Sequence, residues 1–250
     1  ERMKGVGFRT DVGRRRDGNE DALLVLPKYR LFAVADGVGG RSSGEIASRK
    51  TVNGIEAFLK SNPIDKPENM EGKYRHNWFK SYFLRCFQKI NNEILAMALC
   101  DPRKEGMATT AVVAYADGDT LYIINIGDSR AYIVRDGEIS QLTEDHTYVN
   151  KLISTGMLTR SEARQHPQKN MITRALGAVG GAEPDFYYYD IQEGDRVLLC
   201  TDGLHGELTD EEIRDTILAE RNLNTVCRNL VKEANDRGGH DNITVVCLEI

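Results

Sequence analysis

The stretch "FAVADGVGG", Phe32 to Gly40, decides how this sequence folds. Its apolar first half is typical of a β-strand that is buried on both faces. Asp36 and Gly37 follow directly, and Asp-Gly is a strong signal for a hairpin turn. The same dipeptide begins at four further aspartates, Asp17, Asp117, Asp136 and Asp202. The sequence therefore poses an alternative: Asp36 is one of five turn residues, or its carboxylate carries chemistry.

Three strands and two helices are predicted in the first hundred residues. The strands are "VGFRTDVG", "DALLVLP" and "RLFAVAD". Apolar residues then recur at helical spacing over residues 44–60 and again over residues 76–99. We interpret the aromatic stripe of the second stretch as core packing. The polar, proline-containing residues 61–73 between the two helices predict a loop.

The middle of the chain, residues 109–143, predicts short strands that are joined by hairpins. Asp-Gly lies between apolar or alternating strands at Asp117 and at Asp136, so we interpret both aspartates as turn residues. The stretch "GDSR" also separates two strands. There the glycine precedes Asp128, which is not the usual order for such a turn.

Residues 147–177 predict a helical excursion between sheet segments. They contain a short helix, the stretch "TRSEA" with the features of a capping box, and then His-Pro. A lobe of this kind can act as a flap beside a site. Strands return at "DFYYYDI" and "DRVLLCTDG", two helices follow, the first with Thr209 as its N-cap, and "NITVVCLEI" is a final strand. This order predicts an α+β fold in one domain over residues 1–250.

Composition narrows the class of protein. The net charge of −5 and the pI near 5.6 argue against a broad surface for nucleic acid or anionic membrane. No apolar run approaches the roughly 20 residues of a membrane span, and the N-terminal stretch lacks the apolar core of a signal peptide. We expect a cytoplasmic monomer.

The five cysteines predict neither a zinc site nor a cysteine-based phosphatase. No two of them lie two to four residues apart, as zinc ligands would. A cysteine phosphatase places an arginine six residues after its nucleophile. The positions that could hold it contain Asn92, Gly106, Gly206 and Glu233. Reduced thiols in a cytosolic protein remain as the interpretation.

Four aspartates lie near the ends of predicted strands, each beside or close to glycine: Asp36, Asp128, Asp202 and Asp241. Several carboxylates brought together would repel one another strongly, unless a divalent cation lay between them. Oxygen ligands without a histidine or cysteine cluster favour Mg²⁺ or Mn²⁺. Gly37 would let its backbone carbonyl approach such an ion. Scattered turn aspartates remain the alternative at this point.

Eight stretches, in order, give the chain a resemblance to a known family. They are "GRRRDGNEDALLV", "FAVADGVGG", "GMATTAVVA", "INIGDSRAYIV", "LTEDHTYV", "HPQKNMITRALG", "LLCTDGLHGEL" and "GGHDNITVV". The sequence resembles the metal-dependent Ser/Thr protein phosphatases, the PPM or type 2C family, in their bacterial form. The resemblance implies a four-layer α-β-β-α sandwich, in which two antiparallel sheets are flanked by helical pairs.

The resemblance also implies site residues. Asp36 would bridge two Mn²⁺ or Mg²⁺ ions, and the Gly37 carbonyl would bind one of them. Asp202 and Asp241 would bind the second ion. Glu20 would bind its metal through water, and Asp128 would bind a third, more weakly held ion. Arg16 would bind the substrate phosphate. The implied reaction is hydrolysis of phosphoserine and phosphothreonine by a metal-bridging hydroxide, without a phosphoenzyme.

The sequence departs from the family where a proton donor is expected. Eukaryotic members carry histidine directly after the Asp-Gly, where this chain has Val38, and many bacterial members carry it after the Gly-Gly, where this chain has Arg41. A metal-bound water is the preferred donor, and the alternatives are His146, His205 and His240. The family implies phosphoprotein substrates, among them targets of a Hanks-type kinase. A catalytically silent module that binds phosphoproteins on the same scaffold is the alternative function.

Overall fold

The computed structural model describes residues 3–39, 43–67 and 69–250. The strands are β1 (Gly5–Asp11), β2 (Asp21–Leu26), β3 (Leu31–Val38), β4 (Ala108–Thr109), β5 (Ala111–Asp117), β6 (Thr120–Ile126), β7 (Arg130–Arg135), β8 (Glu138–Gln141), β9 (Asp185–Asp190), β10 (Arg196–Cys200) and β11 (Ile243–Glu249). The α-helices are α1 (Ser43–Ser61), α2 (Gly72–Cys100), α3 (Tyr148–Ser154), α4 (Arg160–Gln165), α5 (Asp202–His205), α6 (Asp210–Ala219) and α7 (Leu223–Asp236).

Strand β3 contributes to two hydrophobic cores at once. Alternate side chains of a strand point to opposite faces, and both faces of β3 are buried. Ala33 and Ala35 pack with the residues of helices α1 and α2. Phe32 and Val34 pack against residues of the second sheet, such as Val246 of β11. Because neither face of β3 meets solvent in its first half, these residues form a continuous apolar run, as the sequence predicted.

The strands form two antiparallel sheets. The five-stranded sheet has the order β1-β11-β10-β7-β8, and the six-stranded sheet has the order β2-β3-β5-β6-β9, with β4 paired to β3. The two sheets share one core. Helices α1 and α2 cover the other face of the six-stranded sheet, and α6 and α7 cover the five-stranded one. The predicted α-β-β-α sandwich is confirmed.

The second helix is longer than its sequence pattern indicated. Helix α2 begins at Gly72, four residues before the predicted start at His76, and ends at Cys100. The first turn is mostly exposed, so apolar periodicity gave no signal there. The predicted aromatic core is present, and Phe79, Phe83 and Phe87 are almost fully buried.

The hairpin predictions hold, with one shift of position. Asp136 and Gly137 both have positive φ, 52° and 82°, as the central residues of a type I′ turn require. In the other hairpin, however, Asp117 is the last residue of β5 and pairs with Thr120. Its carboxylate lies 2.8 Å from Arg75 and 2.7 Å from Lys66, so these cations fix its position.

Residues 147–177 form the predicted helical excursion, with α3 and α4 inside it. The capping box at the start of α4 is present, because Thr159 and Glu162 bond to each other's backbone N–H. The excursion is anchored near both ends by isolated β-bridges, Thr147 to Ile172 and Leu176 to Thr109. Among the described residues, none of the helices combines the length and apolar character that a membrane span needs.

Candidate metal and phosphate site

Asp36 lies inside strand β3 rather than at its end. The strand continues through Gly37 to Val38, which pair with Thr109 and Ala108 of β4. The prediction that the strand ends at Asp36 is therefore wrong, and of the two alternatives the hairpin turn is excluded. Gly37 is needed for another reason, because a Cβ there would lie 1.9 Å from the Gly44 carbonyl oxygen. The glycine allows helix α1 to begin directly against the strand.

Two of the other aspartates also lie just outside the strands to which the sequence assigned them. Strand β10 ends at Cys200, and Asp202 is the first residue of the short helix α5. Asp241 lies two positions before β11, which begins at Ile243. Asp128 lies in the link between β6 and β7, as predicted.

The structure brings these aspartates into one electrostatic neighbourhood. Burial raises the pKa of Asp36 well above its ordinary value, and repulsion from Asp202, Asp21 and Asp128 raises it further. Burial also raises the pKa of Asp202 to about 6, with a contribution from Asp241. Like charges of this kind are stable in a protein interior only when a proton or a cation compensates them.

Unpartnered carboxylate oxygens point to a cation as the compensating group. In the described part of the chain, Oδ1 of Asp128 and Oδ1 of Asp202 are buried and have no hydrogen-bond partner. Asp128 is only 5% exposed, and burial raises its pKa well above the ordinary value. Buried polar atoms without partners are rare in native proteins, and a bound ion is one explanation for them. An oxygen-only donor set suits Mg²⁺ or Mn²⁺.

The case for a cation rests on the unpartnered carboxylate oxygens and their mutual repulsion, and not on side chains already arranged around an ion. Among residues 3–39, 43–67 and 69–250, no three acidic, histidine or cysteine side chains are arranged as a ligand cluster. Arg41, which stands where many bacterial members of the family carry histidine, lies outside the described residues.

Arg16 and Glu20 lie beside the same aspartates. Nη2 of Arg16 donates to Oδ2 of Asp241 at 2.8 Å, and the attraction of Asp241 raises the pKa of Arg16. Burial raises the pKa of Glu20, which Arg16 partly opposes. The Glu20 carbonyl accepts a hydrogen bond from the Gly37 N–H at 3.0 Å, which fixes Glu20 next to β3.

Asp21 is a site neighbour that sequence reasoning did not single out. It pairs in register with Asp36 across β2 and β3, and it is 6% exposed. Thr201 and Thr244 donate to its Oδ2 at 2.8 and 2.6 Å, while its Oδ1 has no partner among the described residues. Burial raises its pKa to about 7. Its place next to Glu20 in the sequence was the available signal.

Two of the candidate proton donors instead support the Asp128 loop. Nδ1 of His146 accepts from the Gly127 N–H at 3.0 Å, so its proton lies on Nε2, which is 2.9 Å from Asp185. Nε2 of His205 donates to the Asp128 carbonyl at 2.8 Å. Burial lowers the pKa of His205 to about 4, so this ring is neutral at pH 7.

His240 is the exposed member of the three histidines. Its Nδ1 lies 2.6 Å from Oε1 of Glu207, and two thirds of its side chain is accessible. Val38 is 45% exposed and carries no group that could donate a proton. The position after Asp-Gly is therefore an apolar surface beside the carboxylates.

Comparison with known proteins places the chain in a family. Residues 13–238 match the family described as protein phosphatase 2C. The chain is 35% identical to the serine/threonine phosphatase Stp of Listeria innocua over 246 residues, which are 97% of this chain and 94% of that protein. The crystal structure of the serine/threonine phosphatase PstP/Ppp of Mycobacterium tuberculosis has a TM-score of 0.86 at 35% identity and covers 99% of both chains.

A second solved structure carries metal. The catalytic domain of the phosphatase PstP, in complex with two manganese ions, has a TM-score of 0.83 at 33% identity and covers 99% of this chain and 98% of that one. Fold and sequence similarity thus agree along almost the whole length. The chain belongs to the protein phosphatase 2C family of metal-dependent serine/threonine protein phosphatases.

Proposed function

We propose that this phosphatase hydrolyses phosphoserine and phosphothreonine in proteins by direct attack of water on phosphorus, without a phosphoenzyme. The observation that carries the proposal is the group of buried, mutually repelling aspartates with unpartnered oxygens on Asp128 and Asp202. The four buried cysteines offer no competing nucleophile, and the exposed Cys100 lacks an arginine six residues later. Burial raises the pKa of Cys86 and of Cys227 to about 12, and an unreactive thiol follows from such a pKa.

Two divalent cations are part of the proposal. When bound, Mn²⁺ or Mg²⁺ would lower the pKa of a coordinated water, so that hydroxide is available near neutral pH. Asp36 would hold both ions and the Gly37 carbonyl one of them. The remaining ligands would be Asp202 and Asp241 for the second ion, Glu20 through water, and Asp128 for a third, weaker ion. The two manganese ions of the related PstP domain support this number.

The chain's own residues would bind and orient the phosphate. The guanidinium of Arg16 offers paired donors that match two phosphate oxygens, which a lysine could not do. It already lies at Asp241, at the edge of the carboxylate group. Val38 has no acidic proton, His146 and His205 bond to the Asp128 loop, and His240 pairs with Glu207. We therefore propose water as the proton donor to the leaving serine or threonine.

Phosphorylated proteins, among them targets of a Hanks-type kinase, are the proposed substrates of a monomer. All five cysteines are free, which suits the reducing cytoplasm that we propose as its compartment. A silent phosphoprotein-binding module on this scaffold is disfavoured because such modules lose metal-binding acids. In this chain Asp36, Asp128, Asp202 and Asp241 are all present.

The test compares two Asp-Gly aspartates of the same chain. Asp36→Asn should abolish Mn²⁺-dependent hydrolysis of p-nitrophenyl phosphate and of a phosphothreonine peptide. Asp136→Asn is the matched control, since asparagine also adopts the left-handed φ of that turn. Chelation with EDTA should stop turnover of the parent protein. Turnover in EDTA, or an Asp36→Asn variant as active as the control, would contradict the proposal.

A further inference from the structure

A buried asparagine, Asn242, binds the segment that carries Arg16 and Glu20. Its side-chain amide is bonded to three backbone groups of residues 12–20. Nδ2 donates to the Val12 carbonyl at 2.8 Å and to the Gly18 carbonyl at 2.9 Å. Oδ1 accepts from the Glu20 N–H at 2.8 Å. Both amide protons and one acceptor position of a single side chain are therefore used on one loop.

The segment has a further anchor between its ends, Arg14, whose N–H donates to the Gly239 carbonyl at 2.8 Å and whose Nε donates to the Asn235 carbonyl at 2.8 Å. It contains no helix or strand, because β1 ends at Asp11 and β2 begins at Asp21. Among the described residues, the Gly18 carbonyl is the only backbone group of residues 15–18 that forms a hydrogen bond. Its partner is the side chain of Asn242. Asn242 is only 4% exposed, so water cannot readily replace these bonds.

The residue before Asn242 fixes the side chain of the same segment. Oδ2 of Asp241 accepts from Arg16 at 2.8 Å, and Oδ1 of Asp241 accepts from the backbone N–H of Asn242, also at 2.8 Å. The dipeptide at 241–242 thus holds the loop backbone through the asparagine and the loop guanidinium through the aspartate. The two contacts join parts of the chain that are more than 220 residues apart.

We propose that Asn242 is a positioning residue of the phosphatase reaction: it fixes residues 12–20 so that Arg16 reaches the substrate phosphate. The inference rests on the proposed role of Arg16. It assigns to Asn242 no contact with substrate or metal. Its effect passes through the backbone at Val12, Gly18 and Glu20, and a misplacement of a binding group by about 1 Å is enough to cost a large factor in rate or affinity.

Limited digestion with trypsin measures the anchoring without any need for catalysis. The segment contains three consecutive cleavage sites, Arg14, Arg15 and Arg16. In Asn242→Ala we expect cleavage at these sites at least tenfold faster than in the parent protein, while circular dichroism stays unchanged. The control is Asn235→Ala, which removes a side-chain bond to Asp11 outside the segment. Equal cleavage rates in the two variants would overturn the proposal.

A double-mutant cycle with Arg16→Ala measures the effect on phosphate binding. In the Mn²⁺-loaded enzyme, Asn242→Ala should raise KM for p-nitrophenyl phosphate about tenfold, and in the Arg16→Ala background by less than twofold. Additive effects would mean that Asn242 does not act through Arg16. If Asn242→Ala does not fold, Asn242→Asp keeps the acceptor for Glu20, loses both donors, and takes its place in both experiments.

The two experiments separate the proposal from the function on which it rests. If the parent protein shows no turnover, or if Arg16→Ala leaves KM unchanged, the proposed function or the role of Arg16 fails. The rate of tryptic cleavage at residues 14–16 still decides whether Asn242 anchors the segment. Fast cleavage without a change of KM would overturn the positioning role.

Discussion

Gly37→Ala should damage both stability and the site, although alanine suits the backbone there. Gly37 does not have a positive φ, so a side chain causes no backbone strain. On an unhindered strand the substitution would even stabilise the protein slightly, by restricting the unfolded chain. The new Cβ, however, would lie 1.9 Å from the Gly44 carbonyl oxygen and 2.8 Å from the Glu20 carbonyl oxygen. Ordinary contact begins near 3.4 Å.

The cost of the substitution follows from which atoms must move. Relief of the closest contact needs a shift of about 1.5 Å, the difference between 1.9 and 3.4 Å. The blocking atoms belong to the backbone of helix α1 and of Glu20, so no side-chain rotation can relieve the clash. Overpacking typically costs about 1–3 kcal/mol, and we expect about 3 kcal/mol here, a more than hundredfold change in the unfolding equilibrium.

Urea unfolding with a matched glycine measures this cost. Gly18→Ala is the control, because a Cβ there meets nothing within 4 Å, and its free energy of unfolding should stay within about 0.5 kcal/mol of the parent. Gly37→Ala should lower the midpoint at a similar m-value and reduce kcat/KM. If both variants match the parent in stability and turnover, β3 and α1 are not packed as closely as described.

Three further predictions concern stability and thiol chemistry. Thr209→Ala, which removes a capping box, should lower the free energy of unfolding by about 1 kcal/mol in urea titrations and leave kcat unchanged. In EDTA, the free energy of unfolding should fall as pH rises from about 4 to about 7. The reason is that folding raises the pKa of Asp21 from 3.8 to about 7, so the folded state binds more protons than the unfolded chain in this window. A rise of the free energy of unfolding between these pH values would contradict the reasoning. A thiol reagent should modify Cys100 rapidly in the folded protein, because the other four cysteines are buried, and mass spectrometry of tryptic peptides would show any other site.

Local sequence signals predicted helix caps and turns correctly, because residues close together in the chain decide these features. The capping box at Thr159 and the N-cap at Thr209 are both present, because each needs only residues three positions apart. The type I′ turn at Asp136-Gly137 likewise depends on the φ preferences of two adjacent residues. The two-sided burial of β3 followed from its apolar run.

The sequence predicted less accurately those positions whose structure depends on contacts with distant parts of the chain. Asp36-Gly37 has the same letters as a hairpin turn, yet the strand runs through both residues, because Gly37 and Val38 pair with β4. The sequence pattern predicts a turn residue at Asp117, but in the structure Arg75 and Lys66 bind its carboxylate. In each case the partner lies more than 40 residues away, so nothing in the local sequence indicates it.

The sequence by itself determined the order of strands and helices, the family resemblance, and the acids that could hold a metal. Only the tertiary structure decided which of the five Asp-Gly pairs meet: those at Asp36 and Asp202 share one buried electrostatic neighbourhood, and the one at Asp136 closes a hairpin. It also revealed Asp21 beneath the site and the three bonds of Asn242. The physical reason is that burial and repulsion depend on distances in space, which the packing of two sheets sets.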